Sequence, residues 1–172
     1  MIALVGSRDL NQENRAFAEE AGRQAALQGY TLVSGNARGA DKVAQQACLA
    51  AGGMVISVVA DSLQNHREKE RVLYLSEDGY DEVFSAQRAL SRNRVIHGMG
   101  AITLVAQATL HVGGSWSGTV RNLQGCWSKV FCFEDGSAAS AELQQLGAFP
   151  VTHAELSDIP KLQEGRCTLF DE

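Results

Sequence analysis

Residues 31–47, TLVSGNARGADKVAQQA, decide the fold. TLVS is a short apolar run typical of a buried strand, and the glycines of GNARG then predict a tight turn. From Asp41, a predicted N-cap, apolar residues recur at helical spacing (Val43, Ala44, Ala47). A strand that passes through a glycine-rich turn into an amphipathic helix is the repeating unit of an α/β protein.

The same unit recurs along the chain. Apolar runs without polar alternation predict further buried strands in IALV, MVISVVA, AITLVAQA and KVFCFE, with a short strand in AFPVT. We therefore expect one Rossmann-like, doubly wound α/β domain over residues 1–172, with a mainly parallel sheet and helices on both faces. Residues 155–172 are predicted to form a terminal helix or tail. The other helices are predicted at residues 12–28, 41–51, 82–97, 120–127 and 138–146.

Two stretches are predicted to lack regular structure. DSLQNHREKERVLYLSEDGYDEVFSA (61–86) is polar and weakly periodic, so we interpret it as a loop with a short helix. GGSWSGT (113–119) is interpreted as a Gly/Ser loop that precedes a helix. Trp116 in this loop has two interpretations: its ring stacks on a nucleic-acid base, worth ~1–3 kcal/mol per base, or it plugs the edge of the core.

Composition limits the classes of function. The formal net charge of the 172 residues is −5, so a polyanion-binding surface over the whole molecule is not expected, and a nucleic-acid site must be a local patch. The cysteines lack C-x-x-C spacing, which favours reduced thiols over disulfides or a metal site. The N-terminus does not resemble a signal peptide, and no apolar run approaches the ~18 residues of a membrane span. We therefore expect a cytoplasmic protein without a membrane partner. The cysteines are Cys48, Cys126, Cys132 and Cys167.

Three glycine-containing loops follow predicted strands, at residues 6–8, 34–41 and 113–119. In a parallel sheet they meet at the carboxyl edge of the strands, where open α/β folds bind ligands. Glycines allow close backbone approach to a phosphate, and basic side chains add charge-assisted contacts. The alternative is that these glycines only make tight turns. The candidate anion-binding residues are Gly6, Ser7, Arg8, Ser34, Gly35, Asn36, Arg38, Gly39, Asp41, Lys42, Gly114, Ser115, Ser117, Gly118 and Thr119.

A basic stretch, QRALSRNRVIHGMG (87–100), follows the polar segment. Arg88 and Arg92 are four residues apart and share one helix face, whereas Arg94 projects elsewhere. We interpret Arg88 as solvated surface. His97, like His111, has no partner histidine at metal-ligand spacing and is interpreted as a capping or packing residue.

Together these motifs resemble a known family. ALVGSR (3–8), LVSGNARGAD (32–41), SRNRVIHGMG (91–100), ITLVAQA (102–108) and GGSWSGT (113–119) resemble, in order and spacing, the Rossmann-like domain of DNA-processing protein A (DprA/Smf). The resemblance covers about residues 2 to 133. The S-G-x-A-R-G-x-D and R-N-R-x-I elements are specific in combination. Wider relatives are the SLOG nucleotide-binding proteins, which include LOG phosphoribohydrolases.

The resemblance implies single-stranded DNA binding in a basic pocket. We expect no cofactor and no metal. The resemblance adds Arg92, Asn93 and Arg94 to the candidate phosphate-binding residues. It also implies a homodimer that passes DNA to a recombinase. One alternative is a domain whose main role is dimerisation and recombinase recruitment. Another is a SLOG module that binds a nucleotide or nucleotide derivative, as a sensor or as a hydrolase.

Phosphoribohydrolase chemistry of the LOG type is disfavoured by the sequence. That chemistry needs a carboxylate beside the developing positive charge, supplied in LOG enzymes by the glutamate of G-G-x-G-T-x-x-E. Aligning Gly118 and Thr119 with that motif places Arg121 and Asn122 where the glutamate is expected. Neither is a carboxylate. Asp41 lies in a neighbouring loop, but we interpret it as a helix cap. We therefore expect binding without catalysis.

Overall fold

The computed structural model describes residues 1–164, which form a seven-stranded, wholly parallel sheet flanked by helices. The predicted Rossmann-like α/β class is confirmed. The strands are β1 (Ile2–Val5), β2 (Leu32–Ser34), β3 (Val55–Val59), β4 (Val72–Ser76), β5 (Ile102–Val105), β6 (Lys129–Phe133) and β7 (Phe149–Val151). The α-helices are α1 (Gln12–Leu27), α2 (Ala40–Ala50), α3 (Ala86–Met99), α4 (Gly113–Gly125), α5 (Ala138–Gln145) and α6 (Ile159–Glu164). Two 3-10 turns span Leu63–Asn65 and Ala154–Ser157.

The strand order is β4-β3-β2-β1-β5-β6-β7. The chain therefore builds outward from β1 to β4, returns across the sheet through α3, and continues on the other side of β1 with β5. This reversal makes the carboxyl ends of β1 and β5 a topological switch point, and open α/β sheets bind ligands in the crevice beside such a point.

Alternation along β1 divides the core into two layers. Ile2 and Leu4 pack on one face of the sheet with residues of α1 and α2. Ala3 and Val5 pack on the other face with residues of α3, α4 and α5. All four side chains are buried, as expected for a central parallel strand that is covered on both faces.

The prediction that residues 61–86 form only a loop with a short helix was wrong. A 3-10 turn is present, but Val72–Ser76 form β4, which pairs in parallel with β3. The four apolar residues of β4, Val72 to Leu75, form only a short run within a long polar stretch and were overlooked. As the edge strand of the sheet, β4 has one neighbour and is half-exposed. Its pairing with β3 is a tertiary contact that local periodicity does not encode.

The Gly/Ser stretch 113–119 was also wrongly predicted as a loop, because it forms the first two turns of α4. Glycine and serine are poor helix formers, but here the small residues let α4 approach α3. A Cβ atom on Gly118 would lie 3.2 Å from His97 Nε2 and 3.3 Å from Asn93 Cβ. The start of α3 was predicted near residue 82 and lies at Ala86, where Ser85 caps the helix by accepting the Arg88 N–H.

The end of the described chain contains α6, which lies within the predicted terminal helix or tail. Cys48, Cys126 and Cys132 are free thiols, whereas Cys167 lies outside the described residues. Among residues 1–164, no helix combines the length and apolar character needed to cross a membrane.

Candidate functional site

A cleft runs along the carboxyl edge of the sheet, above the switch point between β1 and β5. It has two adjoining lobes, which we name the switch-point lobe and the Asn36 lobe, with volumes of about 590 and about 530 Å3. The switch-point lobe lies among the turns after β1 and β5 and the first turns of α3 and α4. The Asn36 lobe lies among the turns after β1, β2 and β3. The walls that both lobes share are formed by Arg8, Ala37, Phe84, Ala89 and Arg92.

Two arginines meet at the junction of the lobes, and with Asp41 they form what we name the arginine hub. Arg92 reaches from α3 and is only 8% exposed, and its guanidinium donates to the carbonyl of Val58. Arg8 is exposed, and within residues 1–164 it makes no hydrogen bond or ion pair. Burial lowers the pKa of Arg92. The charges of Asp41 and Asp61 oppose this fall, and the charge of Arg8 adds to it. Two cations that repel each other in a cleft favour an anion between them.

Asp41 is the acidic member of the hub. It is not the N-cap of α2, as the sequence predicted, because Gly39 occupies that position and Asp41 lies in the first turn. Its Oδ2 accepts the backbone N–H of Ala37 at 3.2 Å. Burial raises the pKa of Asp41 to about 6, although the charge of Arg92 opposes that rise. Protonation of Asp41 would therefore leave the hub more positive and better suited to an anion.

Gly35 lets the hub assemble. A Cβ atom at this position would overlap the Oδ2 atom of Asp41 and the guanidinium of Arg92. The glycine that follows β2 is thus required by the packing of two buried charged side chains. The backbone carbonyl of Gly35 is itself held by the Gln45 side chain at 2.5 Å.

Phe84 supplies an aromatic surface to both lobes and was missed by the sequence interpretation. It lies just before α3 and is 57% exposed. An exposed ring beside cationic side chains is the arrangement on which nucleic-acid bases stack. No glycine or periodic pattern marks Phe84 in the sequence; the signal that could have found it is a large aromatic in an otherwise polar loop.

Arg88 fixes the loop that carries Phe84, so its interpretation as solvated surface was wrong. Its side chain is only 14% exposed and forms an ion pair of 2.7 Å with Asp78. It also donates to the carbonyls of Glu82 and Val83 at 2.8 and 2.7 Å. These contacts connect the first turn of α3 to the preceding loop and hold Phe84 beside the cleft.

A family model for DNA recombination-mediator protein A matches residues 1–155 of the chain. The chain belongs to the DNA recombination-mediator protein A family. The predicted resemblance to DprA is therefore confirmed. No curated protein sequence matches this DprA-family chain.

Solved structures agree with the family. DprA from Streptococcus pneumoniae superposes with a TM-score of 0.78 at 29% identity, over 93% of this chain and 60% of that protein. The present chain thus spans about 60% of the length of that relative. DprA from Helicobacter pylori, described for its single-stranded DNA binding mode, gives a TM-score of 0.78 at 24% identity over 95% and 80% of the two chains. The molybdenum cofactor binding protein of Rippkaea orientalis shares the fold, with a TM-score of 0.72 at 18% identity over 94% of both chains.

The DprA-family fold brings many of the predicted site residues to the cleft and leaves others away from it. The basic residues differ in this respect: Arg8, Arg38 and Arg92 line the cleft, whereas Lys42 and Arg94 do not. The other predicted residues in the cleft walls are Gly6, Ser7, Asn36, Asp41, Asn93, Gly114 and Ser115. The remaining predicted residues, which lie outside the walls, are Ser34, Gly35, Gly39, Ser117, Gly118 and Thr119.

Several residues outside the walls have structural contacts that explain their presence. Ser34 is fully buried and accepts the Gln45 amide at 2.8 Å. Arg94 projects away from the cleft and pairs with Glu77.

Among the basic residues that line the cleft, Arg38 has a side chain that is 72% exposed and that pairs with Asp9 at 2.8 Å. This exposed pair is a weak one that an anion could replace.

Trp116 belongs to the core. Of the two interpretations of this residue, base stacking and packing at the edge of the core, the structure supports packing. It is 8% exposed and packs in the layer of α3 and α4, with its ring 5.1 Å from that of His111.

His97 is a packing residue, as predicted. Its Nδ1 lies 2.9 Å from the Asn122 amide, and burial lowers its pKa to about 4, so the ring is neutral.

Proposed function

We propose that this DprA-family chain binds single-stranded DNA in the cleft without catalysing a reaction. In this proposal the arginine hub holds a backbone phosphate, and the nucleosides on either side of that phosphate enter the two lobes. The observation that carries the proposal is the convergence of Arg8 and Arg92 at the junction of the lobes.

The electrostatics of the hub support an anionic ligand. Arg8 makes no hydrogen bond or ion pair within residues 1–164, and Arg92 uses a backbone carbonyl for one of its donors while its Nε remains unsatisfied. Arginine presents several N–H donors in a plane and binds phosphate through charge-assisted hydrogen bonds. A phosphate between the two guanidinium groups would relieve their mutual repulsion.

The shape of the cleft supports a strand over a compact polyanion. The lobes adjoin along a shared wall that includes Phe84, whose exposed ring can stack on a base of any identity. The net charge of −5 leaves this cationic cleft as a local patch, which suits one strand in a groove more than a duplex on a broad surface. The family assignment and the described DNA binding of the H. pylori relative point the same way.

The test is fluorescence anisotropy of a labelled single-stranded oligonucleotide at about 50 and about 200 mM salt. Unlabelled single-stranded DNA, double-stranded DNA, AMP and ADP-ribose serve as competitors. We expect binding that only single strands displace, with a slope of log K against log salt of about −0.7 for each phosphate neutralised. Absence of DNA binding at the lower salt concentration would refute the proposal.

A matched pair of variants locates the binding in the cleft. Arg92→Gln removes the charge of the buried hub arginine, whereas Arg94→Gln removes the same charge two residues away on the exposed side of α3. We expect the first to weaken binding and the second to leave it nearly unchanged. Circular dichroism of both variants checks that the fold survives.

A nucleotide or nucleotide derivative is the second candidate ligand. The switch-point lobe, at about 590 Å3, has the size of a small-molecule site, and the hub could hold one phosphate of such a ligand. The salt dependence separates the candidates, because a single nucleotide releases few counterions and gives a shallow slope. Displacement of the labelled strand by low concentrations of AMP or ADP-ribose would favour this second candidate.

We further propose, from the family assignment, that the protein is a cytoplasmic homodimer that passes DNA to a recombinase. Light scattering after gel filtration tests the dimer. Co-elution with a recombinase in the presence of single-stranded DNA tests the transfer of DNA to that recombinase.

A further inference from the structure

We propose that the Asn36 lobe selects bases that carry an exocyclic amino group, because His66 and Asp61 hold the Asn36 amide in one orientation. The inference rests on the proposed binding of single-stranded DNA and assigns that site a base preference. Asn36 is the specificity-determining residue, and His66 and Asp61 are positioning residues.

Asp61 fixes the tautomer of His66. The Nε2 atom of His66 lies 2.8 Å from Asp61 Oδ1, and the ring stacks on Tyr74 with centroids 4.9 Å apart. Burial alone would raise the pKa of Asp61, but hydrogen bonds from His66 and Asn65 outweigh it and hold that pKa below its usual range. Asp61 is therefore an ionised acceptor, so His66 carries a proton on Nε2.

The tautomer in turn orients Asn36. The Nδ1 atom of His66 faces the Nδ2 atom of Asn36 at 3.4 Å, and because an amide nitrogen can only donate, Nδ1 is the acceptor of this hydrogen bond. The amide nitrogen therefore points to the histidine, and Oδ1 is directed away from it. Within residues 1–164, this oxygen accepts no hydrogen bond, although Asn36 lines the lobe.

The lobe thus presents hydrogen-bond acceptors to a base. Asp61 also lines it, with its side chain 31% exposed, and adds carboxylate oxygens to the amide oxygen of Asn36. Cytosine, adenine and guanine each offer an amino group to such acceptors. Thymine and uracil instead carry carbonyl oxygens in place of the amino group, and their one donor, N3–H, lies between two carbonyl oxygens, which a second acceptor such as the Asp61 carboxylate would repel. Phe84 lines the same lobe and supplies stacking, which does not discriminate among bases.

Oligo(dC) and oligo(dU) of equal length test the preference, because their bases differ only in the amino or carbonyl group at C4 and the proton at N3. We expect the wild-type protein to bind oligo(dC) about five- to tenfold more tightly than oligo(dU), at the lower end of the discrimination of a base-edge hydrogen-bond pair. Asn36→Ala should reduce this ratio to about two or less, mainly through weaker binding of oligo(dC).

Two substitutions of His66 distinguish its hydrogen bond with Asn36 from a purely structural role of its ring, which stacks on Tyr74. Both remove the ring that stacks on Tyr74. His66→Asn places an amide oxygen near the position of Nδ1 and can still accept from Asn36, whereas His66→Gln places its amide near the position of Nε2. We expect His66→Asn to keep the base preference and His66→Gln to lose it. If the ring acted only as a brace, the two variants would behave alike.

The outcomes separate this inference from the proposed function. Tight binding of both oligonucleotides without preference would overturn the inference and leave DNA binding in place. A preference that survives Asn36→Ala would also overturn it. Failure of the wild-type protein to bind either oligonucleotide would refute the proposed function itself.

Discussion

Removing the side chain of Arg8 should weaken DNA binding without weakening the fold. Arg8 is exposed, lines both lobes, and has no hydrogen bond or ion pair within residues 1–164. Its charge lowers the pKa of Arg92, which means that it disfavours the charged form of the buried hub arginine. In the absence of an anion the charge of Arg8 has two opposing effects on the native protein, because it repels Arg92 and attracts the carboxylate of Asp41. This separates it from Arg92, whose removal would leave the buried Asp41 without its nearest positive charge.

The size of the effect follows from the contact that Arg8 is proposed to make. A hydrogen bond to a charged group contributes about 1.5–3 kcal/mol, which is about 10- to 150-fold in Kd. Loss of one phosphate contact should also make the slope of log K against log salt shallower by about 0.7. The midpoint of thermal unfolding should change little, because the substitution removes both a repulsion from Arg92 and an attraction to Asp41.

Fluorescence anisotropy across a salt series measures the first two quantities for Arg8→Ala, and thermal denaturation measures the third. Arg121→Ala is the matched control, since Arg121 is an exposed arginine on α4 outside both lobes. An Arg8→Ala protein that binds DNA as tightly as the control, with the same salt slope, would refute the assignment of the hub as a phosphate site. A marked fall in the unfolding midpoint would refute the claim that Arg8 has no structural role.

Three further predictions test the hub and the aromatic wall. The wild-type protein should lose about 1 kcal/mol of stability between pH 5 and pH 8, because the raised pKa of Asp41 favours the native state only while the carboxyl is protonated, and this contribution disappears as pH rises through about 6. Asp41→Asn should not show this loss. Urea denaturation in a phosphate-free buffer measures the stability, and the same pH dependence in both proteins would contradict the prediction. Gly35→Ala should lower the stability of the protein by about 1–3 kcal/mol and displace the guanidinium of Arg92. Gly98→Ala is the control and should not destabilise the protein, because its added Cβ atom would have no other atom within 4 Å. Equal unfolding midpoints for the two variants would contradict the prediction. Phe84→Ala should weaken binding of a single strand by ~1–3 kcal/mol and Phe84→Tyr should preserve it, as measured by anisotropy; equal losses in both would exclude base stacking.

The sequence predicted those parts of the site that depend on local pattern. The turns after β1 and β2 were located from an apolar run followed by glycine, and parallel strands necessarily bring such turns to one edge. Arg8 and Arg38 were accessible to this reasoning because they lie within those turns. Phe84 was not, because its place in the cleft depends on the pairing of β4 with β3 and on the contacts of Arg88 with the preceding loop.

By itself, the sequence determined the α/β class, the parallel sheet and the family, because apolar runs, helical spacing and turn glycines are local properties of the chain. Only the tertiary structure decided which charged side chains share the cleft. Arg92 and Arg94 are two residues apart, but the rotation of a helix turns the first to a buried hub and the second to Glu77 at the surface. The roles of Gly118 and Asp41 were decided in the same way, by the approach of α4 to α3 and by burial beside Arg92.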